Sequence, residues 1–147
     1  SALEMYEAAL AETVNCQLFI ASAAVADFRP ARVAEQKMKK AADQMTIELV
    51  KNPDIVSAVA ALHNRPFTVG FAAETTQVED FARSKLERKK LDLVIANDVS
   101  DRTIGFNSDD NAVLVVEMQG AEAIPKINKS ILARQLIARI ADMLPTD

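Results

Sequence analysis

Short, continuous apolar runs alternate along this chain with stretches whose apolar residues recur every three or four positions. The runs QLFIASAA (residues 17–24), TVGFAA (68–73) and LDLVIA (91–96) have strand length and no polar alternation, as expected of strands covered on both faces. TIELV (46–50) alternates like a further short strand, residues 112–118 read as another, and 123–127 as one that pairs with it. Helical spacing is carried first by Leu3, Tyr6, Leu10 and Val14, with Ser1 and Glu4 at capping-box separation and an end near Thr13. A second helix is predicted from Asn52 as cap, Pro53 at the first helical position and Asp54 in the first turn, ending near Ala61. A third starts after Thr76, which has capping-box spacing to Glu79, with Val78, Phe81 and Ala82 inward. The last, residues 130–144, is capped by Asn128 with Ile131, Leu132, Leu136 and Ile140 inward. Strands alternating with helices predict one α/β domain over residues 1–147, with a mainly parallel sheet between helices. The two successive strands after Asp98 break the alternation and predict an antiparallel extension at one edge.

Composition narrows the partners. A net charge of −4 disfavours a general nucleic-acid binder, which needs a basic face. No apolar run approaches the roughly 18 residues that a membrane span requires, and the first residues lack the pattern of a secretory signal. The single cysteine, Cys16, cannot form an internal disulfide, so a cytoplasmic setting is expected; its place at the start of a strand predicts a packed thiol. Gly70, Gly105 and Gly120 lie far apart, so neither GxGxxG nor GxxxxGK(S/T) is present. A chain that opens on a helix cap reads as part of something longer.

Ligands of open parallel sheets bind at the carboxyl ends of the strands. Polar residues reach such ends at 24–27, 52–54, 71–75 and 97–98, and two helix starts, near Pro53 and Gln77, open at the same rim. The inward stripe of the third helix continues onto Lys85 and Lys89, and a lysine on such a stripe must reach water or meet an anion. With Lys37, Lys39 and Lys40, these predict a cationic rim suited to a phosphate-bearing ligand. Simpler readings stand beside this one. KMKK has the composition of solvated surface, Lys85 and Lys89 could complement the helix dipole, and Asn52-Pro53-Asp54 is accounted for as a helix start. Asp27 has the character of a turn former, His63 of a helix-end residue, and residues 108–111 of a turn rather than an EF-hand loop.

AAVADFRP, KMKK, VKNPDI, VGFAAET and LDLVIANDVS occur in this order. Together they make nearly all of the chain resemble the phosphopantothenoylcysteine synthetase domain of the bacterial bifunctional coenzyme A biosynthesis protein. The resemblance implies a Rossmann-like fold with helices on both faces and an antiparallel strand extension used for dimerisation. It also implies a CTP-dependent ligase: CTP and 4′-phosphopantothenate form an acyl-cytidylate, and cysteine displaces CMP, with Mg2+ accompanying the triphosphate. Lys37 is the catalytic residue that the resemblance implies. Nucleotide contacts carry over to Ala21, Ser22, Ala23, Asp27, Lys37, Pro53, Asp54, Ile55, Val56, Phe71, Lys85 and Lys89, and Asp27 is either a nucleotide contact or the metal ligand. Phe71 is placed to pack against the nucleotide. FMN is expected only in an attached decarboxylase domain.

The family's N-terminal strand and glycine- and serine-rich phosphate loop have no counterpart here, so the isolated chain is expected to be incomplete for catalysis. A non-enzymatic nucleotide-binding module of similar fold is the alternative, and half of a Rossmann oxidoreductase is disfavoured by the missing glycine fingerprint. Two outcomes follow. Cysteine-dependent pyrophosphate release from CTP is expected to be absent with the isolated chain, and clear turnover refutes that. Sedimentation is expected to report a homodimer, with a monomer as the contrary result.

Overall fold

The computed structural model describes residues 1–37, 44–100 and 108–145. Helix α1 (Ala2–Glu12) opens the chain with the predicted capping box: the Ser1 side chain accepts from the Glu4 N–H, and the Glu4 carboxylate reaches back to the chain's amino terminus. Strand β1 (Leu18–Ala21) follows, and residues 22–27 leave it without helix or strand of their own. Strands β2 (Phe28–Pro30) and β3 (Leu49–Lys51) then form a separate antiparallel ribbon, with Phe28 opposite Lys51. Helix α2 (Ile55–Ala60), strand β4 (Phe67–Glu74), helix α3 (Val78–Lys89) and strand β5 (Leu93–Asp98) complete the α/β alternation. Strands β6 (Asp110–Glu117) and β7 (Gly120–Asn128) and helix α4 (Lys129–Met143) close the chain.

The main sheet has the order β1-β4-β5-β6-β7. β1, β4 and β5 pair in parallel, whereas β6 runs antiparallel to both of its neighbours, so it alone opposes the common direction. This is the mainly parallel, Rossmann-like sheet with the antiparallel extension expected after Asp98. Alternate residues of β5 supply two cores. Val94 and Ala96 pack with Ala82 and Leu86 of α3 and Ala60 of α2, while Leu93 and Ile95 pack with Leu132, Leu136 and Ile140 of α4. Helices on both faces explain why LDLVIA carries no polar alternation.

Several local expectations are corrected. TIELV does not enter the main sheet, because β4 pairs directly with β1, Leu18 opposite Phe67. Its alternation is that of an exposed ribbon, and Phe28 (56 %) and Leu49 (54 %) face solvent there. Asn52 does not cap α2: Asp54 does, accepting from the Ser57 N–H at 3.1 Å. Pro53 biases the residue before it towards extended backbone, and the Asn52 side chain is engaged elsewhere. The capping box predicted for α3 is also absent. The chain enters that helix through Gln77 in the left-handed conformation, with no side-chain cap, which takes Thr76 out of position. Glu79 and Asp80 in the first turn and Arg88 and Lys89 in the last complement the dipole instead. The buried stripe of α3 is Ala82 and Leu86, with Phe81 turned outward, and Ile131 of α4 is likewise exposed. Cys16 is exposed rather than packed, its thiol donating to the Glu12 carbonyl, because it lies between α1 and an edge strand that begins only at Leu18.

The close approach of β4 to the chain entering β5 requires a residue without a side chain at Gly70. A Cβ placed there lies 2.7 Å from Cδ1 of the buried Leu91. Gly70→Ala is expected to cost about 1–3 kcal/mol by overpacking, read as a fall of several degrees in Tm. An unchanged Tm would mean that the Leu91 methyl re-seats without cost.

Candidate functional site

Strand β1 ends with Ala21 opposite Gly70, so that residues 21–23 leave the sheet next to Phe71 while β4 continues to Glu74. Ser22 and Ala23 are exposed, and a tight turn forms where the Ser22 N–H donates to the Ile20 carbonyl. Across β4, helix α3 brings two lysines to the same rim. Lys85 Nζ donates to the Phe71 carbonyl at 2.6 Å, and Lys89 Nζ forms an ion pair with the Asp54 carboxylate at 2.8 Å.

The two lysines differ electrostatically. Burial is the largest influence on Lys85 and pushes its ammonium below the ordinary lysine value; the positive charge of Lys89 acts in the same direction, while Glu74 and Asp54 oppose it. Among the described residues the hydrogen-bond partner of Lys85 is the Phe71 carbonyl, which leaves donors of the ammonium for an anion. For Asp54, burial pushes the carboxyl up, but the hydrogen bonds from Lys89 and Ser57 outweigh it and hold the group below its ordinary value. Asp54 therefore has two partners on two elements, one from the first turn of α2 and one from the last turn of α3.

The structure thus brings Asp54, Phe71, Lys85 and Lys89 together, with Ala21, Ser22 and Ala23 leaving the neighbouring strand. Pro53 and Val56 are half-buried beside Asp54, whereas Ile55 is in the core. The Phe71 ring packs with the cluster on the α4 face, so it is the carbonyl of this residue that meets Lys85. Asp27 is exposed, and its backbone carbonyl accepts from the Asn52 N–H at 2.8 Å. Lys37 is exposed on a stretch without regular structure, and Lys39 and Lys40 lie outside the described residues. Among the described residues no group of three or more His, Cys, Asp or Glu is arranged to hold a metal ion. No described helix is long and apolar enough to cross a membrane.

Sequence reasoning missed the parts of Arg29 and Asn52. Arg29 Nη1 donates to the Asn52 Oδ1 at 3.0 Å, and the Asn52 Nδ2 donates to the Ala26 carbonyl at 2.7 Å. The only signal was the asparagine before Pro53, which reads equally well as a helix cap. Two surface concavities lie elsewhere, at the amino ends of the strands. One, of about 490 Å³, is lined by Gln17 and Leu144, and the other, of about 570 Å³, by Phe67, Asp92 and Met118. The strand-end rule and the charged groups favour the opposite edge as the site.

An open, mainly parallel α/β sheet with helices on both faces defines a Rossmann-like domain, and solved structures agree on that fold. Residues 1–144 match the family described as the DNA/pantothenate metabolism flavoprotein C-terminal domain, and the chain belongs to that family. The coenzyme A biosynthesis bifunctional protein CoaBC of Vibrio vulnificus strain CMCP6 is 54% identical over 147 residues, covering 98% of this chain and 37% of the relative. CoaBC of Escherichia coli K12 is 51% identical over 144 residues, covering 95% of this chain and 36% of the relative. The chain therefore spans little more than a third of the length of these curated relatives. The crystal structure of a CoaBC C-terminal domain superposes with a TM-score of 0.77 at 31% identity, covering 97% of this chain and 62% of that one. The DNA/pantothenate metabolism flavoprotein of Streptococcus pneumoniae shares the fold, with a TM-score of 0.72 at 23% identity over 97% of this chain and 68% of that one.

Both shifted groups make stability rise with pH, Asp54 in the acidic range and Lys85 in the alkaline range. Asp54 is held low, so its contribution is present above the unfolded carboxyl value and is lost as pH falls through the folded one. Lys85 is also held low, so its cost is present at neutral pH and is relieved as pH rises through its folded value towards that of a free lysine. Carbon-detected NMR titration is expected to show Lys85 losing its proton before the exposed lysines do. The Lys89–Asp54 pair is partly exposed, so Lys89→Met is expected to cost under ~1 kcal/mol.

Proposed function

We propose that this chain is a single domain, the CTP-binding part of a phosphopantothenate–cysteine ligase of coenzyme A biosynthesis. The observation that carries the proposal is the convergence of Lys85, Lys89, Asp54 and the Phe71 carbonyl at the carboxyl rim of the parallel strands. Membership of the family and the printed role of the CoaBC relatives support it. In this reading Lys85 and Lys89 hold the triphosphate, and Lys89 exchanges its Asp54 partner for phosphate oxygens. The backbone groups of Ala21, Ser22, Ala23, Ile55 and Val56 face the base, where N–H and carbonyl groups suit a cytosine edge. Asp27 contacts the nucleotide or its metal, and Phe71 meets the nucleotide through its backbone, its ring being packed towards α4.

The reaction joins two condensations. The carboxylate oxygen of 4′-phosphopantothenate attacks the α-phosphorus of CTP, and pyrophosphate leaves. The amine of cysteine then attacks the acyl carbon, losing its proton as the amide forms and CMP departs. Fixed cations lower the barrier of the first step by offsetting charge on the transferring group and on the pyrophosphate. Lys37 is assigned this role on the resemblance of KMKK to the family's lysine motif. The donor set fits magnesium as a companion of the triphosphate, because magnesium is commonly held by one or two carboxylates and substrate phosphates rather than a protein cage; Asp27 is the carboxylate it would meet. Bound there, the ion supplies further neutralisation of the phosphates.

FMN is assigned to a decarboxylase domain outside this chain, and a homodimer in the cytoplasm completes the proposal. A nucleotide-binding module without activity would use the same rim, but the relatives' names favour the enzyme.

Calorimetric titration with CTP and ATP in the presence of magnesium is the test, with CTP expected to bind more tightly. Lys85→Gln and Lys89→Gln are each expected to weaken CTP binding by about tenfold or more, the loss of one charge-assisted contact. Lys37→Gln, made in the full-length protein, is expected to spare CTP binding and to abolish acyl-cytidylate formation. Equal affinity for both nucleotides, or unchanged binding in the Lys85 and Lys89 variants, would overturn the reading.

A further inference from the structure

Asn52 is 7% exposed, and both ends of its side-chain amide are used. Its Nδ2 donates to the Ala26 carbonyl at 2.7 Å, and its Oδ1 accepts from Arg29 Nη1 at 3.0 Å. Its backbone N–H donates to the Asp27 carbonyl at 2.8 Å, which adds a rung beyond the last ribbon pair, Phe28 opposite Lys51. Arg29 Nη1 also donates to the Lys51 carbonyl at 3.0 Å, so the guanidinium spans the residue on which it acts and the one before it. Two residues further on, Asp54 caps α2 and grips Lys89 of α3. One continuous set of contacts therefore runs from the segment after β1, through Asn52, to the lysines of α3.

We infer that Arg29 and Asn52 are positioning residues for the nucleotide rim, fastening Ala26 and Asp27 to Asp54 before any ligand arrives. The inference rests on the proposed function for what the rim binds, but the fastening itself is independent of it. Residues 22–27 have no helix or strand to order them, so without such a tie Asp27 would sample many separations from the lysines. Pre-ordering that segment spares the ligand its conformational entropy. The side-chain chemistry is specific. The amide must donate towards Ala26 and accept from Arg29 at once, and no other side chain of that size does both. An aspartate would keep the Arg29 partner and turn a negative oxygen onto the Ala26 carbonyl, and an alanine would remove the tie to Ala26 altogether.

The test combines two readouts on the whole chain. Hydrogen exchange without ligand is expected to show the amide of residue 52, which donates to the Asp27 carbonyl, losing protection in Asn52→Ala, while β4 and β5 keep theirs; unchanged protection at residue 52 overturns the tie. CTP titration is expected to show about a tenfold loss in Asn52→Ala. The loss should be non-additive with Asp27→Ala, so that the double variant binds no more weakly than Asp27→Ala alone. Losses that multiply would assign Asn52 a general structural role and sink the positioning role, as would an unchanged affinity in a folded Asn52→Ala. Should Asn52→Ala fail to fold, Arg29→Leu, which removes only the outer donor, carries the same two readouts with the same outcomes. If the wild-type chain does not bind CTP, the proposed function falls, and hydrogen exchange alone judges the tie.

Discussion

The parallel pairing of β1, β4 and β5, with both faces of the β4–β5 pair covered, is the constraint from which the rest of this structure follows. A strand covered on two sides must be apolar at every position, and β5 meets that demand by sending alternate residues to α3 and to α4. Small residues at Gly70, Ala72, Ala82 and Ala96 let the layers close. Because the strands share a direction, their carboxyl ends share an edge, and the segments leaving them collect there. The position of the candidate site is a consequence of that topology. It does not rest on a cavity, and the two concavities of the surface lie at the other ends of the strands.

At the rim, charge is balanced within the protein before any ligand is present. Lys89 is neutralised by Asp54, whereas Lys85 donates to a carbonyl and lies partly out of water, which disfavours its charged form. An arriving anion repairs that deficit at Lys85 and competes with Asp54 at Lys89. Under the proposed function, part of the attraction to phosphate is therefore already built in, and part is opposed. Such an arrangement favours a multiply charged ligand, which can engage both lysines, over a single carboxylate, which can satisfy only one.

The β2–β3 ribbon has a different standing from the main sheet. Isolated two-stranded ribbons are marginal in water, and this one exposes Phe28 and Leu49. What anchors it is polar: Arg29 reaching back to Lys51 and Asn52, and Asn52 reaching Ala26 and Asp27. The ribbon also carries Arg29 and leads into Asp54, so its attachment and the geometry of the rim are one matter.

Much of this was legible in the residues themselves. Continuous apolar runs marked β1, β4 and β5, the Ser1–Glu4 spacing marked the cap of α1, and helical periodicity marked α4 with Asn128 as its cap. Local patterns of this kind depend on neighbours within a few positions, and so a linear sequence carries them. Lys85 and Lys89 could be placed at a rim because their helix phase put them on one face. The tertiary structure alone decided that residues 49–51 leave the sheet for a ribbon, that α3 starts from a left-handed Gln77, and that Asp54 rather than Asn52 caps α2. It alone paired Lys89 with Asp54 and joined Asn52 to Ala26 and Arg29. The ribbon, the Lys89–Asp54 pair and the contacts of Asn52 depend on partners distant along the chain, whose approach is set by the packing of whole layers, and no spacing rule along the chain encodes them.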